Sequence, residues 1–329
     1  NYDPTNPQDP HLLLEPTRTN ECLYSKTLSS WTELNGGTLQ TITNNDAIAP
    51  DGSLTASTIT FTDTGTSLLR QLSNKAYTSN KHSSSFYAKK ISGNGSVFFG
   101  ITDTETEFTP TDEWVRYEVN NVTPTDFGTN LFLDLNFDCS AGDKIAVWGM
   151  QLEEGTHSTS LIPTAGSAVT RTKDTCSLPN YANLPTDYPL TVYWKGQVKE
   201  FNGFNCAFSI YKDGQSGDFL VVSFNTASQI LVRRAVGGSE DVDFISYSYS
   251  LGDVLKIGIK FTSATTFKLF INGSEIYNET SGTSKTWDFN SVLIGQLRIA
   301  ADTGTRNPCN ELMLFNEELT DAELITLTT

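Results

Sequence analysis

Apolar and polar residues alternate with a period of two along much of this 329-residue chain. In Leu131-Phe132-Leu133-Asp134-Leu135-Asn136-Phe137, residues Leu131, Leu133, Leu135 and Phe137 share one face, and Phe132, Asp134 and Asn136 share the other. Side chains of a β-strand point to opposite faces in turn, so the pattern predicts one face in a core and one mostly in water. The same reading predicts strands near Ser57–Phe61, Ser84–Lys90, Ser96–Ile101, Glu113–Asn120 and Lys144–Leu152, separated by Gly/Asn/Asp turns. A second series follows at Thr191–Lys199, Cys206–Tyr211, Phe219–Asn225, Gln229–Val236, Val254–Phe261, Thr266–Ile271, Ser291–Ile299 and Glu311–Phe315. Lys256–Phe261 and Phe267–Gly273 give the clearest hairpin signal, and Asn272-Gly273 supplies the positive φ values of a tight turn toward Tyr277. One helix is predicted. Thr320-Asp321-Ala322-Glu323 is a capping box, with Leu324, Ile325 and Leu327 as the apolar side. The fold class is all-β: two β-sandwich domains in series with a short C-terminal helix.

Prolines set the borders. Residues 1–20 carry Pro4, Pro7, Pro10 and Pro16 and read as an arm that cannot join a central strand. The first sandwich is expected over 21–165, a linker with Pro179, Pro185 and Pro189 over 166–189, and the second sandwich over 190–329. Val147–Arg171 carries the transition, as a strand that breaks at Glu153-Glu154-Gly155 and continues as a Ser/Thr-rich connector. Residues ahead of a proline favour β or polyproline conformations, so Leu161-Ile162-Pro163 should run extended. The halves are not copies of one another.

Charge narrows the partners. Lys and Arg number 22 against 38 Asp and Glu, a formal net charge of −16 at pH 7. Phosphate binding needs a basic footprint, so nucleic acid and anionic membrane surfaces are excluded. No apolar run approaches the ~20 residues of a membrane span, so no membrane insertion is expected. The 5 cysteines are scattered without a CxxC pair, which reads as buried small apolar residues rather than a zinc site. The chain starts at Asn1, with neither Met nor a secretory leader, and reads as a fragment or processed form.

Two strings resemble a signature of bacteriophage tail and appendage proteins. One is Leu12-Leu13-Leu14-Glu15-Pro16-Thr17-Arg18-Thr19-Asn20. The other is Trp148-Gly149-Met150-Gln151-Leu152-Glu153-Glu154-Gly155, followed by Ser160-Leu161-Ile162-Pro163-Thr164 and Gly166-Ser167-Ala168-Val169-Thr170-Arg171. Between them, Tyr24-Ser25 with Trp31-Thr32, then Ile48–Ala56 and Ser85–Lys90, fall in the order that family shows. The resemblance implies a carbohydrate-binding-module-like jelly roll on the tail or capsid surface of a virion, with other virion proteins as partners and a homo-oligomeric assembly. The last half resembles concanavalin A-like, laminin-G-like jelly rolls through Lys268–Gly273 and Glu311–Glu323. These motifs specify fold more than ligand.

Catalytic signals are sparse. Glycosidases need two carboxylates about 5–10 Å apart, and no Glu-x-Asp-x-x-Glu string occurs. Glu153-Glu154 reads as a polar turn, and Glu240-Asp241-Val242-Asp243 as a solvated acidic loop. Polysaccharide lysis needs a Tyr or His base beside a cation. His11, His82 and His157 are expected in polar, exposed surroundings, and one side chain of Arg233-Arg234 is expected to face surface acids. No catalytic residue is assigned, and the chain reads as non-enzymatic.

Sugar binding uses an aromatic platform beside planar polar groups. Trp148 and Trp194 alternate with apolar residues and belong in cores, whereas Trp287 lies in a polar loop. The candidate ligand-binding residues are Trp287, Asp288, Asn290, Tyr247, Tyr249 and Trp114, the two tyrosines sharing one side of a strand. Asp126, Asp138 and Asp143 flank the Asn130–Phe137 strand and are candidate donors for a structural calcium ion. Three functions stay open: a virion component binding host-surface polysaccharide, a purely structural fibre, collar or decoration protein, and a depolymerase or lyase.

Overall fold

The computed structural model describes residues 12, 14–34, 40–102, 104–125, 130–179, 184, 188–199, 205–215, 217–263, 265–280, 288–295 and 307–329. They form two compact units: Arg18–Thr172, and the described residues before Arg18 together with Lys173–Thr329. The all-β class holds, with a short helix closing the chain.

In the first unit, β1 (Arg18–Asn20), β2 (Thr32–Glu33), β3 (Gln40–Ala47), β4 (Ala56–Phe61), β5 (Gly65–Ala76) and β6 (His82–Ser92) come first. Then follow β7 (Ser96–Ile101), β8 (Thr104–Phe108), β9 (Val115–Val122), β10 (Asn130–Cys139), β11 (Lys144–Glu154) and β12 (Val169–Arg171). Two five-stranded sheets result, ordered β2-β5-β10-β7-β8 and β3-β4-β11-β6-β9, and β1 pairs with β12 apart from them. Leu131, Leu133, Leu135 and Phe137 are at most 1% exposed, as the alternation in β10 predicts. Facing sheets close over them through aromatic pairs such as Phe61–Phe137 at 5.4 Å and Phe86–Phe99 at 4.4 Å between ring centroids.

In the second unit, β13 (Cys176–Leu178), β14 (Leu190–Gln197), β15 (Asn205–Tyr211), β16 (Phe219–Thr226), β17 (Gln229–Val236) and β18 (Ser239–Ser246) precede five more strands. These are β19 (Val254–Phe261), β20 (Phe267–Ile271), β21 (Ser274–Glu279), β22 (Ser291–Ile294) and β23 (Cys309–Phe315), with helix α1 (Asp321–Thr328) last. The sheets are ordered β13-β22-β15-β16-β17-β18 and β21-β20-β19-β14-β23. Trp194, Phe208, Phe224, Phe261 and Phe267 fill the space between them. Asn272 and Gly273 have φ of 46° and 79° and turn β20 into β21, as predicted.

Several local expectations are revised. The stretch 166–189, read as irregular, contains β12 and β13, and the end of the 1–20 arm is β1. Leu12 exchanges backbone hydrogen bonds of 2.8 and 3.0 Å with Cys309, and Leu14 and Glu15 are buried. The acidic run Glu240–Asp243 is not a loop but part of β18, the edge strand, where charge blunts further strand pairing. Arg233 faces outward and donates to Glu240 at 2.6 Å, as expected. Arg234 turns inward instead, donating to Asp243 at 3.1 Å with its guanidinium 4.8 Å from the Phe267 ring centroid.

Candidate functional site

The outer face of the sheet β2-β5-β10-β7-β8 gathers aromatic, acidic and amide side chains around one arginine. Residues paired across antiparallel strands present their side chains on the same face. Register therefore aligns one row as Thr32, Arg70, Asp134, Gly100 and Glu105. A second row runs Leu68, Asn136, Phe98 and Glu107, and Leu72 lies opposite Phe132 beside the first. The inward neighbours on β10 are core leucines, so Phe132, Asp134 and Asn136 must point away from the core.

Arg70 organises this face. Its Nε and Nη2 donate to the two oxygens of Asp134, each at 2.6 Å, while its guanidinium stacks 3.7 Å from the Phe132 ring centroid. A two-pronged bond and a stacked plane hold the carboxylate in one orientation. Asp134 is only 2% exposed. Burial raises its pKa first, and Arg70 opposes that shift. The same bond raises Arg70. From β8, Glu105 reaches across β7 and bonds Asn136; partial burial and then the Asp134 charge push its carboxyl up. Asn136 retains a buried Oδ1 without a partner.

Gly100 sits between Asp134 and Glu105 in the first row. A Cβ there would lie 1.8 Å from the Thr104 carbonyl oxygen, so only glycine admits this close return of the chain. Phe98 is half-buried next to Asn136, and Leu72 is 55% exposed. The Phe98 ring can stack on an apolar ligand face, and the exposed Glu105 and Glu107 carboxylates can accept from hydroxyl groups at its rim.

The motif residues of the two resembling strings serve a different purpose. Asn20 Nδ2 donates to the carbonyls of Met150 and Ile162, and its Oδ1 accepts from the backbone N–H of Cys22 and Leu152. Glu153 accepts from Thr159 N–H, Thr159 Oγ1 and Gln151 Nε2, while Gln151 Oε1 accepts from Ile162 N–H. Thr164 bonds Ser25 and the Cys22 carbonyl. The connector after β11 is thus fastened back onto its own unit, and these buried polar groups are engaged in folding.

The candidates named from sequence are dispersed. Trp287 and Asp126 lie outside the described residues. Asp288 is exposed and ion-paired with Lys212, and Asn290 Oδ1 accepts from Asp213 N–H and Ser291 Oγ. Tyr247 and Tyr249 follow the end of β18 rather than sharing a strand. Tyr249 is 5% exposed, packs edge-on to Phe224 and donates to the Gln229 carbonyl, so its ring belongs to the core. Tyr247 packs against that core and its hydroxyl meets Asn272 Nδ2 at 3.4 Å. Trp114 is in the first unit, on the outer side of the other sheet, clustered with Trp148 and Tyr87 and donating to the Ile48 carbonyl. Asp143 is buried and accepts from Ser140 N–H, whereas Asp138 is exposed on β10. No group of three or more His, Cys, Asp or Glu able to hold a metal occurs among the described residues.

The sequence put Phe132, Asp134 and Asn136 on the side of β10 away from the core and expected that side mostly in water. Phe132 and Asp134 are instead 8% and 2% exposed, and Arg70, Phe98 and Glu105 were missed as their neighbours. Only the pairing of β5, β7 and β8 around β10 reveals that link.

No protein-family model matches the chain, and no curated protein does either. Among solved structures, the chain is similar to the CBM40 module of the Ruminococcus gnavus IT-sialidase bound to alpha2,3 sialyllactose. That match has 12% identity and a TM-score of 0.39, and covers 47% of this chain and 97% of the module. The K499G mutant of the NanB sialidase from Streptococcus pneumoniae matches at 16% identity and a TM-score of 0.40, over 47% of this chain. The chain spans 27% of that sialidase structure. A heptameric SAP-like pentraxin from Limulus polyphemus matches at 18% identity and a TM-score of 0.37, covering 44% of this chain and 72% of its own.

Proposed function

We propose that the chain is a non-catalytic glycan-binding component of a bacteriophage virion, acting at the tail or capsid surface on host-surface polysaccharide. The carrying observation is the outer face of the first unit's sheet, where Phe98 stands beside the Asn136 amide and the Arg70-fixed Asp134 carboxylate. The phage assignment, the virion neighbours and assembly as a homo-oligomer rest on the resemblance of Leu12–Asn20 and Trp148–Arg171 to tail and appendage proteins. Asp134 braces this face and is not placed as a catalytic acid, because it is 2% exposed and Arg70 engages both of its oxygens. The test is a glycan array probed with the full chain and with Phe98→Ala. Loss of the stacked ring should weaken binding by about 1–3 kcal/mol with the melting temperature nearly unchanged. Wild-type and variant chains that bind the same glycans equally well would remove Phe98 from the site.

One observation favours a second reading, a structural fibre, collar or decoration protein without sugar. The phage-like residues Asn20, Gln151, Glu153 and Thr164 are all bonded within the fold, so the resemblance itself points to architecture rather than to a ligand. An array on which no glycan is bound would favour this reading.

A further inference from the structure

The charge balance on the same face determines which glycans it can hold. Its outward rows carry Asp134, Glu105, Glu107 and Asp138. Among the described residues of these rows, Arg70 is the single cation, and it is already forked onto Asp134 and stacked on Phe132. Further along β5, Lys75 pairs at 3.0 Å with Glu154 of β11, in the other sheet. Recognition of a carboxylate or sulfate needs an available fork or ammonium, and these rows offer acceptors instead. The acceptors open to a ligand are the exposed carboxylates of Glu105 and Glu107, whereas Asp134 and the Asn136 Oδ1 are covered. A ligand that satisfies such a surface must bring donors.

We propose that this face selects glycans without acidic groups, neutral or amino-bearing sugars, and excludes sialylated, uronic or sulfated ones. The selection rests on the glycan-binding reading and sharpens it. Hydroxyl and ammonium groups donate to the acceptors, whereas an acidic substituent meets Glu105 and Glu107 without a counter-charge. Two unit charges about 6 Å apart at an effective dielectric constant of about 40 change an affinity roughly tenfold. Discrimination of that order for each nearby carboxylate is what this arrangement provides.

The experiment is an array of neutral, amino and acidic glycans probed with the full chain. Calorimetric titration of the tightest neutral binder and its sialylated or uronate counterpart follows. The expected result is that hits are confined to glycans without acidic groups, with the acidic counterpart weaker by about tenfold or more. The Glu105→Gln/Glu107→Gln double variant should narrow that gap to about threefold or less, because it removes the repelling charges and keeps the acceptors. Both residues are exposed, so folding is retained. An acidic counterpart bound as tightly as the neutral glycan overturns the selectivity and leaves glycan binding standing. Binding of no glycan, or binding that Phe98→Ala leaves intact, overturns the reading of the face itself and the selectivity with it.

Discussion

Asn20 is fully buried and uses donors and acceptors on four separate backbone groups. Replacing it with Ala leaves those N–H and C=O groups without partners, at a cost of about 1–3 kcal/mol for each that water cannot reach. Asn20→Ala should therefore destabilise the first unit by about 3 kcal/mol or more, read as a shift of the denaturant midpoint. A change under about 0.5 kcal/mol, the range of an ordinary surface substitution, would mean that the connector is held by packing alone. His82 makes the opposite kind of statement. Expected in exposed surroundings, it is instead fully buried where β6 begins; its Nδ1–H donates to the Asn80 carbonyl at 2.9 Å, and Nε2 has no partner. Protonation would place charge on a nitrogen that faces no acceptor, so burial lowers the pKa from 6.5, against the nearby Glu154 and with Lys75. The folded state then binds fewer protons than the unfolded chain. Stability from the neutral ring is fully present above pH 6.5 and erodes as pH falls through the depressed folded value. Asp134, Glu105 and Asp243 have raised pKa values and contribute the opposite slope, so the comparison must be with a variant. Urea unfolding of wild type and His82→Gln between neutral and mildly acidic pH should show the steeper acid loss in wild type, and parallel curves would refute it.

At the scale of elements, α1 is too short to persist alone, since isolated helices under about 12 residues are marginal. Its capping box forms as the sequence predicts: Thr320 Oγ1 accepts from Glu323 N–H at 3.2 Å and Glu323 Oε2 from Thr320 N–H at 2.8 Å. Its docking does not follow the predicted apolar side. Leu324 is fully buried over Gly258, where a Cβ would stand 2.8 Å from its Cδ2, while Ile325 is 40% exposed. Leu324→Ala should cost about 2–4 kcal/mol and Ile325→Ala under about 1 kcal/mol, measured by thermal unfolding. Equal losses would restore the symmetric face read from sequence. The strands missed in the sequence share a physical cause. β5 turns Ser67, Gln71 and Ser73 toward the interior, where Gln71 Oε1 accepts from Tyr24 N–H and Cys22 Sγ, so its alternation is inverted. β3, β8 and β18 are edge strands with polar or acidic exposed positions, and such a composition reads as loop. β10 was legible because its core face is purely apolar. The candidate site joins two legible strands, β7 and β10, to two that are not, β5 and β8, so register, rather than any local string, assembles it.

At the scale of the whole molecule, sequence order and structural units do not coincide. The described residues before Arg18 group with Lys173–Thr329 rather than with the unit that follows them. Leu12 pairs with Cys309, Glu15 N–H donates to Asp174 at 3.1 Å, and Asp174 N–H returns to the Glu15 carbonyl at 2.9 Å. Leu14 is 4% exposed and Glu15 2%. A fragment spanning 18–172 contains its whole core and both partners of β1 and β12, and should unfold cooperatively on its own. The fragment 173–329 lacks the backbone partners that Leu12 and Glu15 supply to Cys309 and Asp174. It should be less stable by about 2–4 kcal/mol, from loss of about four hydrogen bonds. A permuted chain that appends residues 1–17 after Thr329 through a flexible linker should recover the difference, because it restores the segment without restoring the first unit. Urea unfolding followed by circular dichroism decides the matter. If 173–329 alone matches the permuted chain, the N-terminal segment contributes nothing to that unit's stability, and the discontinuous unit is not a folding unit.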